Sequence, residues 1–265
     1  MKTLYLDCFA GISGDMTLGA FIDLGVDGEY LIKELEKLKV GGYHIHISRK
    51  AKNGIMGTDV DVVLEHEHTH ESEHHHSHEH THESEHQHEH HHRSYRDIKK
   101  LIDTSELNEN VKTLSQKIFH YVAKAEAKIH GKSIDEVHFH EVGAIDSIVD
   151  IIGTAICFDY LKVEKVVASP LHTGTGTIKC QHGIIPIPAP ATLEILREAK
   201  IPFYSTGIKK ELVTPTGAAI IAGLVDVFEE LGECEVEAVG YGCGKRDMPV
   251  VNMLRMMLVT SKKKQ

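Results

Sequence analysis

Between His66 and His92 the chain places fourteen histidines and no aliphatic or aromatic residue, and this stretch constrains the fold more than any other feature. A segment with nothing apolar to bury cannot offset the conformational entropy of ordering, so it is expected to be disordered without metal. It is read as an insertion, residues 65–92, in one folded region made of residues 1–64 and 93–265. His68-Thr-His-Glu-Ser-Glu-His74 recurs twelve residues later as His80-Thr-His-Glu-Ser-Glu-His86. Such duplication implies a loosely constrained length, which a site of fixed geometry would not tolerate. The imidazoles of His66, His68, His70, His74, His75, His76, His78, His80, His82, His86, His88, His90, His91 and His92 are candidate metal ligands. Imidazole beside carboxylate favours borderline ions such as Ni²⁺, Cu²⁺ and Zn²⁺ without choosing among them. These donors lose metal as pH falls through about 6.5 and they protonate.

Eight glutamates and no Lys or Arg lie between Glu65 and His92, so this stretch carries −8 of the net charge of −10. The rest is nearly neutral and lacks a basic stripe, which argues against nucleic acid as a partner. No run of 18 apolar residues and no signal-peptide pattern occurs, so no membrane span is expected and the cytoplasm is the expected compartment. The five cysteines are scattered and never form a CxxC pair, which indicates neither a disulfide framework nor a zinc ribbon.

Apolar periodicity predicts a strand at residues 3–9, a small-residue loop at 10–15 and a helix to about Leu24, then a helix at 29–37 and paired strands at 43–48 and 58–64. After the insertion, order is expected to resume at 95–102, and helices are predicted at about 110–130 and 144–161. Val111, Leu114, Ile118, Val122, Ala125 and Ile129 form the core face of the longest. Residues 134–140 read as a strand or extended entry. Strands at 165–169, 202–206, 233–240 and 252–260 and helices at 191–199 and 216–230 complete the pattern. The fold class is α/β or α+β, a mixed sheet flanked by helices.

Four polar groupings stand out. In Val137-His-Phe-His-Glu-Val-Gly-Ala-Ile-Asp146, an extended chain would put His138 and His140 on one face, while Asp146 and Asp150 share a helix face at i and i+4. Imidazole and carboxylate together suit a divalent metal or general acid–base work; histidines before a capped helix are the plain alternative. Asp7 and Asp15 flank Gly11, Ser13 and Gly14 in a strand–loop–helix unit that suits phosphate with a metal ion, or that is simply a tight turn with a helix N-terminal charge. His172 precedes a loop with Gly174 and Gly176, and Cys180 and His182 follow, either as a ligand cradle or as an ordinary glycine-turn hairpin. Thr214 and Thr216 open a small-residue helix start, and Lys245 and Arg246 offer two cations for phosphate or carboxylate.

Taken in order, Asp7-Cys-Phe-Ala-Gly-Ile-Ser-Gly-Asp-Met16, Val137-His-Phe-His-Glu-Val-Gly-Ala-Ile-Asp-Ser147, His182-Gly-Ile-Ile-Pro-Ile-Pro-Ala-Pro-Ala-Thr192, Glu211-Leu-Val-Thr-Pro-Thr-Gly-Ala218 and Gly240-Tyr-Gly-Cys-Gly244 resemble the LarC family of nickel insertion proteins. The resemblance spans almost the whole chain and includes an internal histidine-rich loop. It implies a CTP-dependent cyclometallation that inserts Ni²⁺ into pyridinium-3,5-bisthiocarboxylic acid mononucleotide, forming two Ni–S bonds and one Ni–C bond. The product would serve a lactate racemase-type apo-enzyme. His138, His140, Glu141 and Asp146 are then the candidates for the ring-proton base. Asp7, Gly11, Ser13, Gly14, Asp15, Gly174, Gly176, Thr214 and Thr216 are the candidates for nucleotide binding. His172, Cys180 and His182 join the reservoir as metal candidates. Family members continue into a C-terminal region associated with CTP and its Mg²⁺ or Mn²⁺; the chain is expected to be the N-terminal piece, working with that region in cis or in trans. Oligomeric state is open, a homo-oligomer included. Two other classes stay in view: a nickel storage or delivery chaperone, and a metal-dependent phosphohydrolase built on Asp7, Asp15 and the His138 cluster.

Overall fold

The computed structural model describes residues 2–65, 93–137, 139, 145–180 and 182–261. The reservoir histidines His66 to His92, and His138, His140 and Glu141, lie outside the described residues.

The first strand, β1 (Lys2–Asp7), alternates cleanly: Leu4 and Leu6 are buried on the face that meets the helices, and Tyr5 points the other way. It leads through residues 8–13 into α1 (Gly14–Asp23), followed by α2 (Gly28–Glu36). β2 (Tyr43–Lys52) and β3 (Ile55–Leu64) form an antiparallel hairpin. Asn53 and Gly54 at its tip both have positive φ (50° and 83°), the left-handed pair that a two-residue turn requires. The hairpin runs four residues further than periodicity predicted in β2, because Arg49-Lys-Ala-Lys52 shows no apolar alternation yet pairs in register with residues 55–58.

α3 (Tyr95–Thr104) starts at a capping box between Ser94 and Asp97. α4 (Glu109–His130) is capped by Asn108, whose Oδ1 accepts from Val111 N at 3.0 Å, and stops at Gly131 in the left-handed region. Val111, Ile118, Val122 and Ala125 are buried as expected, but Ile129 is exposed, because the last turn of α4 runs past the core. The described part of residues 134–139 is not a strand: a single 3₁₀ turn (Ile134–Glu136) is followed by extended Val137. Phe139 anchors this passage, buried at 6.4 Å from the Phe119 ring and 6.3 Å from the Tyr95 ring.

α5 (Ile145–Leu161) is buried over most of its surface. Then come β4 (Lys165–Ala168), β5 (Leu171–His172), the antiparallel hairpin of β6 (Thr177–Cys180) and β7 (Gly183–Pro186), α6 (Pro190–Glu198), β8 (Phe203–Tyr204) and α7 (Pro215–Leu224). The predicted helix over 216–230 ends early. Val225 turns extended and β9 (Val227–Phe228) joins the sheet, with Asp226 accepting from Val166 N at 2.8 Å. β10 (Cys234–Cys243) and β11 (Met253–Ser261) finish the chain.

The main sheet has seven strands in the order β2-β3-β10-β11-β1-β4-β9. It is mixed: β1 runs parallel to β4 and antiparallel to β11. Side chains of the helices join Leu4, Leu6, Leu254, Met256 and Leu258 in one core, and the other face carries a small cluster of Tyr5, Val167, Met257 and Val259. α1 lies directly on β10 because Gly242 lacks a side chain; a Cβ there would stand 1.8 Å from Met16 O. That close seat fixes where the first turn of α1 points.

Candidate functional site

Three helix starts meet at one cavity of about 610 Å³. Ser13, Gly14 and Asp15 come from α1, Asp146, Ser147 and Asp150 from α5, and Thr214, Pro215 and Thr216 from α7. Each start presents the positive end of a helix dipole, so together they favour an anion. The threonine start is well made: Thr214 Oγ1 accepts from Gly217 N at 3.1 Å, and Pro215 occupies the first helical position, where no N–H is needed.

The carboxylates on the same wall give the cavity a second character. Asp15 Oδ1 accepts from Met16 N at 2.9 Å and from the Ser13 hydroxyl. Burial raises the Asp15 carboxyl above its usual range, against the opposing pull of those two hydrogen bonds. Asp150 is raised further, first by burial, then by the charges of Asp15 and Asp146, with Lys245 lowering it slightly. Burial is the largest cause for both; hydrogen bonds from Ser13 and Met16 oppose it at Asp15, while the charges of Asp15 and Asp146 add to it at Asp150. Gly14 makes room for this arrangement, since a Cβ there would stand 2.1 Å from Asp150 Oδ2.

Lys245 and Arg246 close the cavity from the β10–β11 connection. Lys245 Nζ donates to Asp59 Oδ1 at 2.9 Å, Val60 O at 2.9 Å and Asp61 Oδ1 at 2.6 Å. Burial alone would lower its pKa, but Asp61 and Asp59 hold it above the usual lysine range. Arg246 pairs with Glu211 at 3.3 Å. The cavity thus combines carboxylates for a cation with helix starts and two cations for an anion. Among the described residues, no three His, Cys, Asp or Glu side chains form a group that could hold a metal ion.

Several expected residues are elsewhere. Asp7 pairs with Arg255 across the β1–β11 ladder instead of joining Asp15, because strand register puts the two opposite each other. This removes Asp7 from any shared phosphate or metal site with Asp15. Gly11, at φ 84°, is packed on the backbone of Leu212, whose carbonyl accepts from Ile12 N at 2.9 Å. It splices the first loop to the α7 entry and does not line the cavity. Gly174 fills a similar role, since a Cβ there would meet Lys210 O at 1.5 Å, and Gly176 O accepts from Ile187 N at 2.9 Å. His172 is buried with both ring nitrogens engaged, Nδ1 at 2.6 Å from Phe9 O and Nε2 at 2.8 Å from Thr206 Oγ1, and its ring stacks on Tyr204. With no ring lone pair left over, His172 supports the loops and leaves the metal set to others. Cys180 lines the cavity, while His182 sits in the β6–β7 turn with its Nδ1 at 4.0 Å from Cys180 Sγ.

Asp150 and Lys245, outside the family-based site set, prove central to the cavity. For Asp150 the signal was a carboxylate four residues after Asp146 on an otherwise apolar helix. For Lys245 it was a cation following a strand that ends in Gly-Cys-Gly.

A mixed α/β scaffold with acidic and basic side chains gathered at helix starts around a cavity describes a broad class of proteins that handle charged ligands. Comparison with known sequences narrows the class: the model of the nickel insertion protein family matches residues 4–265, and the chain belongs to that family. A pyridinium-3,5-bisthiocarboxylic acid mononucleotide nickel insertion protein of Acetivibrio thermocellus is 49% identical over 265 residues, covering 100% of this chain and 62% of the relative. Proteins of the same name from Clostridium kluyveri and Clostridium acetobutylicum are each 53% identical, covering 97% of this chain and 62% and 64% of their own lengths. The chain therefore spans about three-fifths of the length of these relatives. No solved structure matches the chain. No helix among the described residues is long and apolar enough to cross a membrane.

Proposed function

We propose that the cavity binds pyridinium-3,5-bisthiocarboxylic acid mononucleotide and Ni²⁺ together and promotes insertion of the metal into the ring. The observation that carries this reading is the meeting of three helix starts around one cavity whose lining includes Asp15, Asp146 and Asp150 as well as Lys245 and Arg246. The nucleotide phosphate is assigned to Ser13, Gly14, Thr214 and Thr216 with Lys245 and Arg246, where backbone dipoles and cations favour a dianion. Nickel, as substrate, is assigned to Asp15 and Asp146, with the two thiocarboxylates of the precursor completing its ligands.

The ring proton is assigned to Asp150. Without metal, burial and then the charges of Asp15 and Asp146 keep this carboxyl protonated to higher pH than an ordinary aspartate; a cation held by those two neighbours offsets their charges, so that Asp150 ionises and can accept a proton. The ring C–H bond then breaks, its electron pair forms the Ni–C bond, and the proton passes to the Asp150 carboxylate, with nickel remaining divalent throughout. CTP with Mg²⁺ or Mn²⁺ is assigned to a C-terminal region acting in cis or in trans. The five cysteines are free thiols, which suits a reducing cytoplasm.

The test is to incubate this chain with precursor, Ni²⁺ and Mg·CTP, with and without the C-terminal region of a relative, and to follow the nickel-pincer product by mass spectrometry. Product in the complete mixture supports the reading. Absence of product from both mixtures overturns it.

A further inference from the structure

Beside the large cavity lies a smaller chamber of about 230 Å³ that the proposed reaction leaves unassigned. Ser13, Thr214, Lys245 and Arg246 line both, so the two adjoin at the end where the nucleotide phosphate is assigned. Asn252, Met16 and Met248 belong to the chamber alone. Asn252 stands just before β11 and is 5% exposed. Its Nδ2 donates to Arg246 O at 2.8 Å, which fixes the orientation of the amide. Gly244 admits that amide, since a Cβ there would stand 2.4 Å from Nδ2.

The other atom of the amide is the unusual one. Asn252 Oδ1 is buried, and among the described residues no donor reaches it. A buried carbonyl oxygen without a donor is costly, and folded proteins mostly avoid it. The other buried side-chain oxygens in this position, on Ser48, Ser115, Thr154 and Thr192, line neither cavity. A neutral acceptor calls for a neutral donor such as a hydroxyl. Next to the phosphate of a nucleotide comes its ribose, which carries two. Glu211 lines the same chamber; its Oε2 accepts from Arg246 at 3.3 Å, and a carboxylate has about four acceptor sites, so it can take the second hydroxyl. Carboxylates are common partners of ribose hydroxyls in nucleotide sites. Met248 lies in a connection without regular secondary structure, and its unbranched side chain can shift to let a sugar reach the buried oxygen.

We infer that the chamber is the ribose subsite of the mononucleotide, with Asn252 Oδ1 accepting from one ribose hydroxyl and Glu211 from the other, so that Asn252 selects ribonucleotides over their deoxy analogues. The identity of the ligand rests on the function proposed above; the unmet acceptor rests on the structure alone.

Calorimetric titration of the metal-free full chain with the mononucleotide of pyridinium-3-carboxylic acid tests this, because that probe keeps the ribose phosphate and lacks the thiocarboxylates that take nickel. Its 2′,3′-dideoxy analogue is the comparison. The wild type should bind the ribonucleotide at least about tenfold more tightly, since the analogue leaves a buried acceptor unmet. Asn252→Ala should lose most of that preference. The variant also removes the donor to Arg246 O, so a loss of affinity shared by both ligands reports disturbed structure, and the ratio between them is the readout. A wild type that binds the two alike, a variant that keeps the full preference, or no saturable binding of the ribonucleotide overturns the proposal. The two readings fail differently: without nickel insertion the preference for the ribonucleotide remains, and without the ribose subsite the two probes bind alike while product still forms.

Discussion

Replacing Asp150 with Asn keeps the shape of the side chain and removes its ionisation, and the structure fixes the sign of the result. In the unfolded chain an aspartate loses its proton near pH 3.9, about the model value. In the fold, burial and then the charges of Asp15 and Asp146 hold the Asp150 proton to higher pH. Above about pH 4 the folded chain therefore binds one more proton than the unfolded chain, and stability declines as pH rises. The slope for one proton is about 1.4 kcal/mol per pH unit, and the loss is complete once pH passes the folded pKa. Asp150→Asn lacks this component, so the metal-free variant should gain on the wild type across that window. At about 2–4 °C in Tm per kcal/mol for a chain of this size, the gain is easily measured. Urea unfolding of both chains without metal, at intervals from about pH 5 to about pH 8, isolates the one carboxyl by subtraction, because every other group titrates in both. Parallel profiles, or a variant less stable throughout, would refute the reasoning.

Other consequences are as direct. Gly14→Ala drives a methyl group into the Asp150 carboxyl, and overpacking of this kind costs about 1–3 kcal/mol despite the better helix propensity of alanine; a double-mutant cycle with Asp150→Gly should recover most of that loss. Lys245→Met leaves buried Asp59 with Lys50 alone. Burial opposes ionisation of Asp59, but the two lysines hold its carboxyl below the usual range, so this stability is present above about pH 4 and is lost as pH falls through the folded pKa. Because the Lys245 side chain is 39% exposed, the cost is screened to about 1–2 kcal/mol at neutral pH, and urea unfolding in acid should show a shallower decline in the variant. Thr214→Ala removes the cap of α7 and should lower stability by about 0.5–2 kcal/mol in thermal unfolding.

Much of the layout was legible in the sequence because apolar period follows burial. Val111, Ile118, Val122 and Ala125 set the buried face of α4, and the strand predicted at residues 3–9 contains Leu4 and Leu6 on the core face of β1. Asp146 and Asp150 fall on one face of α5 as their spacing required. What sequence spacing could not convey was which loops come together. Gly11 and Gly174 look like phosphate-binding glycines in one dimension, yet each is small because another backbone passes over it. Asp7 was drawn away by Arg255, which is 248 residues distant and arrives only through strand register. His172 looked like a ligand until Phe9 and Thr206 were found on its two nitrogens.

The central claim is that the carboxylate cavity handles both the metal and the ring proton. Nickel-pincer formation at saturating Ni²⁺, compared between the wild-type chain and Asp150→Asn in the same mixture of precursor, Mg·CTP and C-terminal region, tests it most directly. The variant should retain the precursor but form product about 100-fold more slowly or worse, the usual contribution of a positioned general base. Product appearing at the wild-type rate from Asp150→Asn would contradict it.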